Sequence, residues 1–126
     1  MASYRTLKIA DSIKNHVSMI VDGSLADPRI ESVTILHVDL ARDLSHAKIL
    51  FTTHDSEPKV IEALLNKASG FVRTQLAQGL NLRYTPTLRF IFDSNFAELE
   101  RVELVLEKLR AQRAANKSSE NESNES

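Results

Sequence analysis

The 126-residue chain predicts an α+β fold in which helices lie over one small three-stranded sheet. Three observations carry that expectation. Apolar residues recur at helical spacing from Tyr4 to Val21. Two short alternating runs between Val33 and Thr53, joined by a tight connection, read as a hairpin. A run from Pro58 to Phe92 then reads as helix, break at Ala68-Ser69-Gly70, second helix and third strand.

The first helix places Leu7, Ala10, Ile13, Val17, Ile20 and Val21 on one stripe. Ser3 is available as its N-cap and Gly23 as its stop. Asp27-Pro28-Arg29 follows as a turn aimed into the first strand, since proline disfavours helix at the residue before it. Arg29 could pair with a phosphate, with Asp27 or with Glu31. Val33, Ile35, Val38 and Leu40 mark the first strand, with a slip in alternation between Leu36 and Val38 that reads as a bulge. Arg42-Asp43-Leu44-Ser45 connects it to a second strand, His46 to Thr53, in which Ala47, Ile49, Phe51 and Thr53 share one face. Strands joined this closely pair antiparallel.

Asp55-Ser56-Glu57-Pro58 is a helix start with Ser56 as the candidate N-cap. Val60, Ile61, Leu64, Leu65 and Ala68 form the stripe of that helix, and Phe71, Val72, Leu76 and Leu80 resume it after Gly70. Glycine inside a helical pattern costs roughly 1 kcal/mol against alanine, so it asks for a kink or a close backbone approach. Gly79 ends the second helix, and Leu88, Phe90 and Phe92 alternate with Arg89 and Ile91 as the third strand. Phe96, Leu99, Val102, Val105, Leu106 and Leu109 give a last amphipathic helix from about Asn95 to Arg110. Residues 1–110 therefore read as one domain, and residues 111–126 as a disordered polar tail.

Composition narrows the chemistry. The absence of cysteine excludes disulfides, thiolate metal sites and cysteine nucleophiles, and fits a reducing, cytoplasmic setting. Near the N-terminus, Lys8 and Asp11 interrupt the apolar residues, so neither a signal peptide nor a membrane span is expected. His16, His37, His46 and His54 have no ligand partners at recognised spacing, and no metal or other cofactor is expected. Asp39 and Asp43 flank a turn, and Ser45-His46 and Ser56 lack a nucleophile-elbow context. No catalytic residue is expected, and the chain reads as something other than an enzyme.

The net charge of −1 hides polarity along the chain. From Ala63 to Phe92 the charges are Lys67, Arg73, Arg83 and Arg89, without one Asp or Glu, whereas the stretch after Asp93 is rich in glutamate. Exposed charges are screened from one another beyond about 10 Å, so the local field decides what binds. An acid-free basic span, a helix break that exposes backbone amides, and a second helix starting at that break together point to phosphate, and so to RNA or DNA. An ordinary solvated basic face is the plainer alternative. The rivals from other classes are a protein–protein adaptor docking through its sheet or final helix, and a small RNA-modifying enzyme.

Several separated motifs then agree. Asp27-Pro28-Arg29-Ile30, Val33-Thr34-Ile35, Asp43-Leu44-Ser45-His46-Ala47-Lys48, Gly70-Phe71-Val72-Arg73 and Leu82-Arg83-Tyr84-Thr85-Pro86-Thr87-Leu88, with Phe90 and Asp93, together resemble the bacterial ribosome-binding factor A family from Arg5 to about Leu109. The resemblance implies a type II KH-like domain, α-β-β-α-kink-α-β with an additional C-terminal helix, in which Ala68-Ser69-Gly70 replaces the Gly-X-X-Gly loop of ordinary KH domains. It implies a monomeric, non-enzymatic factor that binds the free small (30S) ribosomal subunit and its 16S rRNA, and not the 70S ribosome. Late subunit assembly, 16S rRNA 5′-end maturation, growth in the cold, and release by an assembly GTPase or an initiation factor are implied with it. On that expectation the RNA-binding residues are Lys67, Ala68, Ser69, Gly70, Arg73, Arg83 and Arg89, with Arg5 and Lys8 extending the strip along the first helix.

Overall fold

The computed structural model describes residues 3–25 and 27–125, with side chains as far as Lys117. Ser3 caps α1 (Tyr4–Ser24), its Oγ accepting the Thr6 N–H at 3.2 Å, which satisfies one of the orphan donors of the first turn. The buried residues Ala10, Ile13, Val17, Ile20 and Val21 are the predicted stripe without its first member, Leu7, which stands exposed. Gly23 is not the stop: the helix runs through it to Ser24, and none of the glycines has a positive φ.

Asp27 opens a short 3-10 helix, Pro28–Ser32, where the sequence predicts a simple turn. The Asp27 carboxylate accepts the Arg29 backbone N–H at 3.0 Å and pairs with the Arg29 guanidinium at 3.2 and 3.0 Å. Those bonds settle the choice of partner for Arg29, and they hold the Asp27 carboxyl below its usual pKa.

β1 (Thr34–Leu40) and β2 (His46–Thr52) pair antiparallel, with the register shift between Ile35 and His37, one step before the predicted slip. The extra residue keeps Ile35, Val38 and Leu40 on the buried face despite their uneven spacing. In the connection, Leu44 adopts φ 63. Asp43 stabilises this turn by accepting the Ser45 hydroxyl at 2.6 Å and the Ser45 N–H at 3.1 Å, bonds that lower its own pKa.

α2 (Pro58–Lys67) begins without the predicted Ser56 cap. Asp55 accepts the Glu57 N–H at 2.9 Å and shapes the entry in its place. α3 (Ser69–Gly79) follows after one non-helical residue, and β3 (Thr87–Phe92) joins β2 in parallel, giving the sheet order β1-β2-β3. α1 packs on β1 and α3, while α2 and α3 pack on β3. Ile13, Val17, Ile49, Phe51, Ile61, Leu65, Val72, Leu76 and Phe90 form the fully enclosed centre between helices and sheet.

The free edge of β3 is closed by α2 side chains. Asn66 accepts the Phe90 N–H at 2.8 Å and donates to the Phe90 carbonyl at 2.9 Å, and Glu62 accepts the Phe92 N–H at 2.8 Å.

α4 (Ser94–Glu125) is a unit of its own. The backbone is helical to Glu125, beyond the end at about Arg110 that the apolar pattern predicts. The side chains of 118–126, on which the expectation of a polar tail partly rests, lie outside those described. No helix among the described residues is long and apolar enough to cross a membrane.

Candidate nucleic-acid interface

The break between α2 and α3 is confined to Ala68, at φ −86 and ψ 0. Its N–H still donates to the Leu64 and Leu65 carbonyls, each at 3.1 Å, and its carbonyl accepts the Val72 N–H at 3.0 Å. The expected exposure of amides therefore does not include that of Ala68, and the chain turns without opening a loop. Lys67 and Gly70 are exposed here, and Ala68 and Ser69 half-buried. Gly70 itself has ordinary helical geometry. A Cβ added to it would meet nothing within 4 Å, so neither a kink nor close packing inside the protein requires glycine there. Phe71, the next residue, stands 45% exposed beside Lys67 and the break.

Arg73 is exposed and is also tied into the protein. Its Nε donates to the Pro86 carbonyl at 3.2 Å and its Nη2 to the Thr85 carbonyl at 2.9 Å. The guanidinium thus ties α3 to the segment entering β3, and its charge remains at an exposed position while two of its donors are used. Arg83, in that segment, lies with its Cζ 5.5 Å from the centre of the Tyr84 ring. Arg73, Thr74, Ala77, Arg83, Tyr84 and Thr85 line a shallow depression of about 330 Å³ between α3 and this segment.

At the start of α1, Lys8 stands 5.4 Å over the Tyr4 ring, with Arg5 exposed alongside. Leu7 and Ala10 border a depression with His37 and Val38, whereas Ser18 and Asp22 border one with Thr34 and Ile35. α1 therefore runs opposite to β1, with its first turn toward the Leu40 end of the sheet. Leu40 pairs with Ala47 and Ala47 with Leu88, so β3 begins at that same end. Arg5, Lys8, Arg73 and Arg83 are brought toward one end of the α+β unit, and Lys67 sits one helix away at the break.

Arg89 does not belong to this group. Leu88 and Phe90 point into the core, so Arg89 projects from the open face of the sheet, paired in register with Lys48, which pairs in turn with Asp39. The predicted strip is therefore divided: one set of cations lies with the helices and one with the opposite sheet face. Among the described residues, Arg5, Lys8, Lys67, Arg83 and Arg89 make no ion pair with a carboxylate. Exposed and outside the expected binding set are Lys48, Tyr84 and Phe71, the last of which the sequence places on the apolar stripe of the second helix. The alternation of β2 already placed Lys48 on the polar face, and Tyr84 stood in a polar segment where no packing role called for an aromatic residue. Among the described residues no group of His, Cys, Asp and Glu is arranged to hold a metal ion.

Residues 5–106 match the family described as Ribosome-binding factor A. A Ribosome-binding factor A of Vesicomyosocius okutanii is 44% identical over 108 residues, covering 86% of this chain and 95% of its own length. A solution structure of a Thermotoga maritima protein described as a ribosome binding factor A superposes with a TM-score of 0.63 at 30% identity, covering 72% of this chain and 89% of that one. A Thermus thermophilus ribosome binding factor A, fitted as a homology model into a cryo-EM map of a 30S complex, shares the fold with a TM-score of 0.60 at 22% identity, over 68% of this chain and 91% of that one. With a relative this similar along most of its length and the same α+β order of elements, the chain belongs to the ribosome-binding factor A family.

Proposed function

We propose that this protein binds the free 30S ribosomal subunit through its 16S rRNA, as a cytoplasmic monomer, and assists late subunit assembly. On this reading it helps mature the 16S 5′ end, matters most in the cold, and is released by an assembly GTPase or an initiation factor. It carries out no covalent chemistry and needs no cofactor. The observation that carries the proposal is the match of residues 5–106 to a family named for binding ribosomes, and the Thermus relative placed in a 30S complex supports the choice of subunit.

The geometry supplies a physical means. Arg5, Lys8, Lys67 and Arg83 are exposed cations without carboxylate partners among the described residues, and each phosphate they neutralise releases counterions. Log affinity for single-stranded rRNA then falls with log salt by about 0.7 per contact. Because Ala68 closes the break tightly, side-chain charge carries more of this binding than a backbone cradle of the Gly-X-X-Gly kind would. Low temperature prolongs the life of misfolded RNA helices, which makes a protein that holds one conformer more important.

The test is sedimentation of the protein with small subunits. Lys67→Glu combined with Arg83→Glu should abolish comigration with 30S particles while leaving the melting temperature unchanged, and retained comigration would remove these residues from the interface. In cells lacking the protein, precursor 16S rRNA should accumulate at low temperature; a normal ratio of precursor to mature rRNA there would sink the maturation role.

A second reading, the adaptor, is favoured by α4, where Leu99, Leu104, Val105 and Leu109 are each at least half exposed. Comigration with subunits that persists at salt concentrations high enough to remove RNA contacts would select it.

A further inference from the structure

We propose that the depression between α3 and the segment before β3 is a stacking site for one unpaired RNA base, with Tyr84 as the platform and Arg83 as the adjoining phosphate ligand. This rests on the reading that the chain binds rRNA, and it names the chemical state of the RNA recognised there.

Tyr84 is 68% exposed, yet the segment that carries it is firmly held. Pro86 is fully buried, the Leu80 N–H bonds to the Leu76 carbonyl at 2.9 Å, and Arg73 grips the Thr85 and Pro86 carbonyls. An aromatic ring held out in water on a fixed backbone gives up the burial that would otherwise favour folding it inward. The same rigidity makes it a ready platform, because little further ordering is needed when a ligand stacks.

The surroundings select the ligand. The lining comprises two guanidiniums, two threonines, an alanine and the tyrosine, with no carboxylate. Such a lining attracts phosphate and repels a basic peptide. Arg83 lies over the Tyr84 ring, and the ring's large exposure leaves further π surface for a base. The Thr74 hydroxyl donates to the Gly70 carbonyl at 3.0 Å and keeps its lone pairs for a ligand N–H. At about 330 Å³ the depression lies at the small end of ligand sites. A paired base cannot present its face to Tyr84, so the site selects single-stranded RNA, with little preference among bases.

The experiment titrates the full chain against a short fluorescein-labelled single-stranded RNA, the same strand annealed into a duplex, and the same strand with abasic positions. Tyr84→Ala should weaken single-strand binding about 5- to 100-fold without changing the salt slope, because no phosphate contact is lost. Tyr84→Phe keeps the ring and should stay within about 2-fold of wild type. Arg83→Gln should lower the salt slope by about 0.7. Duplex and abasic strands should bind wild type and Tyr84→Ala equally. Equal affinity of wild type and Tyr84→Ala for the single strand, or no binding of it by wild type, overturns the stacking site. Cosedimentation of wild type with 30S subunits is read in parallel, and its loss would overturn the rRNA reading itself.

Discussion

Gly70 is a glycine that no contact inside the protein requires. Its backbone is helical, and a Cβ there would touch nothing. Gly70→Ala should therefore raise stability by up to about 1 kcal/mol in urea unfolding, through helix propensity and a smaller unfolded-state entropy. A simultaneous loss of affinity for small subunits would show that the missing methyl makes room for RNA. Arg73 behaves in the opposite sense. Arg73→Gln removes both the planar fork that reaches two carbonyls and the charge, so it should cost about 1–2 kcal/mol while leaving the salt slope of RNA binding almost unchanged. A fall in the slope by about 0.7 would place Arg73 in the phosphate-binding set. The difference between these residues was only half legible. The basic, acid-free span could be counted directly, but the partners of Arg73 lie in a loop whose path no periodicity reports. Asp27 adds a prediction in acid. Its folded pKa is lowered, first by the Arg29 side-chain hydrogen bond, so its contribution is present above the unfolded value of about 3.9 and lost as pH falls through the folded value. Asp27→Asn should lower stability in the neutral range, where that contribution is present, and flatten the fall below about pH 4, so that the two proteins converge in acid in urea titrations across that interval.

At the scale of elements, the side chains of α2 that finish the sheet edge are the feature least accessible to pattern reading. Asn66 interrupts an apolar helix as an ordinary polar residue would, but it completes both hydrogen-bonding groups of Phe90. Asn66→Ala should cost about 2–3 kcal/mol, because a half-buried strand donor and acceptor lose their partners together. Asn66→Asp should recover part of this by accepting the N–H again, and full stability in the alanine variant by thermal melting would contradict the role given to the edge. By contrast, α1 and the bulge of β1 were readable in advance. Their apolar residues are the ones that cross into the core, and burial imposes its own spacing on sequence. Caps were less readable. Asp55, Ser56 and Glu57 are all competent for the start of α2, and the choice depends on backbone angles that composition does not encode. Arg89 illustrates a further limit. Its neighbours Leu88 and Phe90 turn their side chains into the core beneath the helices, but strand alternation carries Arg89 to the other face, so closeness along the chain overstated closeness in space.

For the molecule as a whole, the α+β unit ends at Asp93 and α4 stands as a second unit. The core residues all lie before that division. Removing 111–126 should therefore shift the melting temperature by less than about 2 °C, and a larger drop would show that the C-terminal stretch contributes to folding rather than trailing it. The parallel pairing of β3 with β2 has a further consequence during synthesis. The β1–β2 hairpin needs only a short connection, but β3 is separated from β2 by the whole of α2 and α3. As the chain leaves a ribosome N-terminus first, α1 and the hairpin can meet early, leaving the inner face of Ile49 and Phe51 only partly covered until Phe90 emerges. The order of synthesis therefore leaves one flank of β2 without a strand partner until the end, and the sheet is complete only when the last of its three strands has been made.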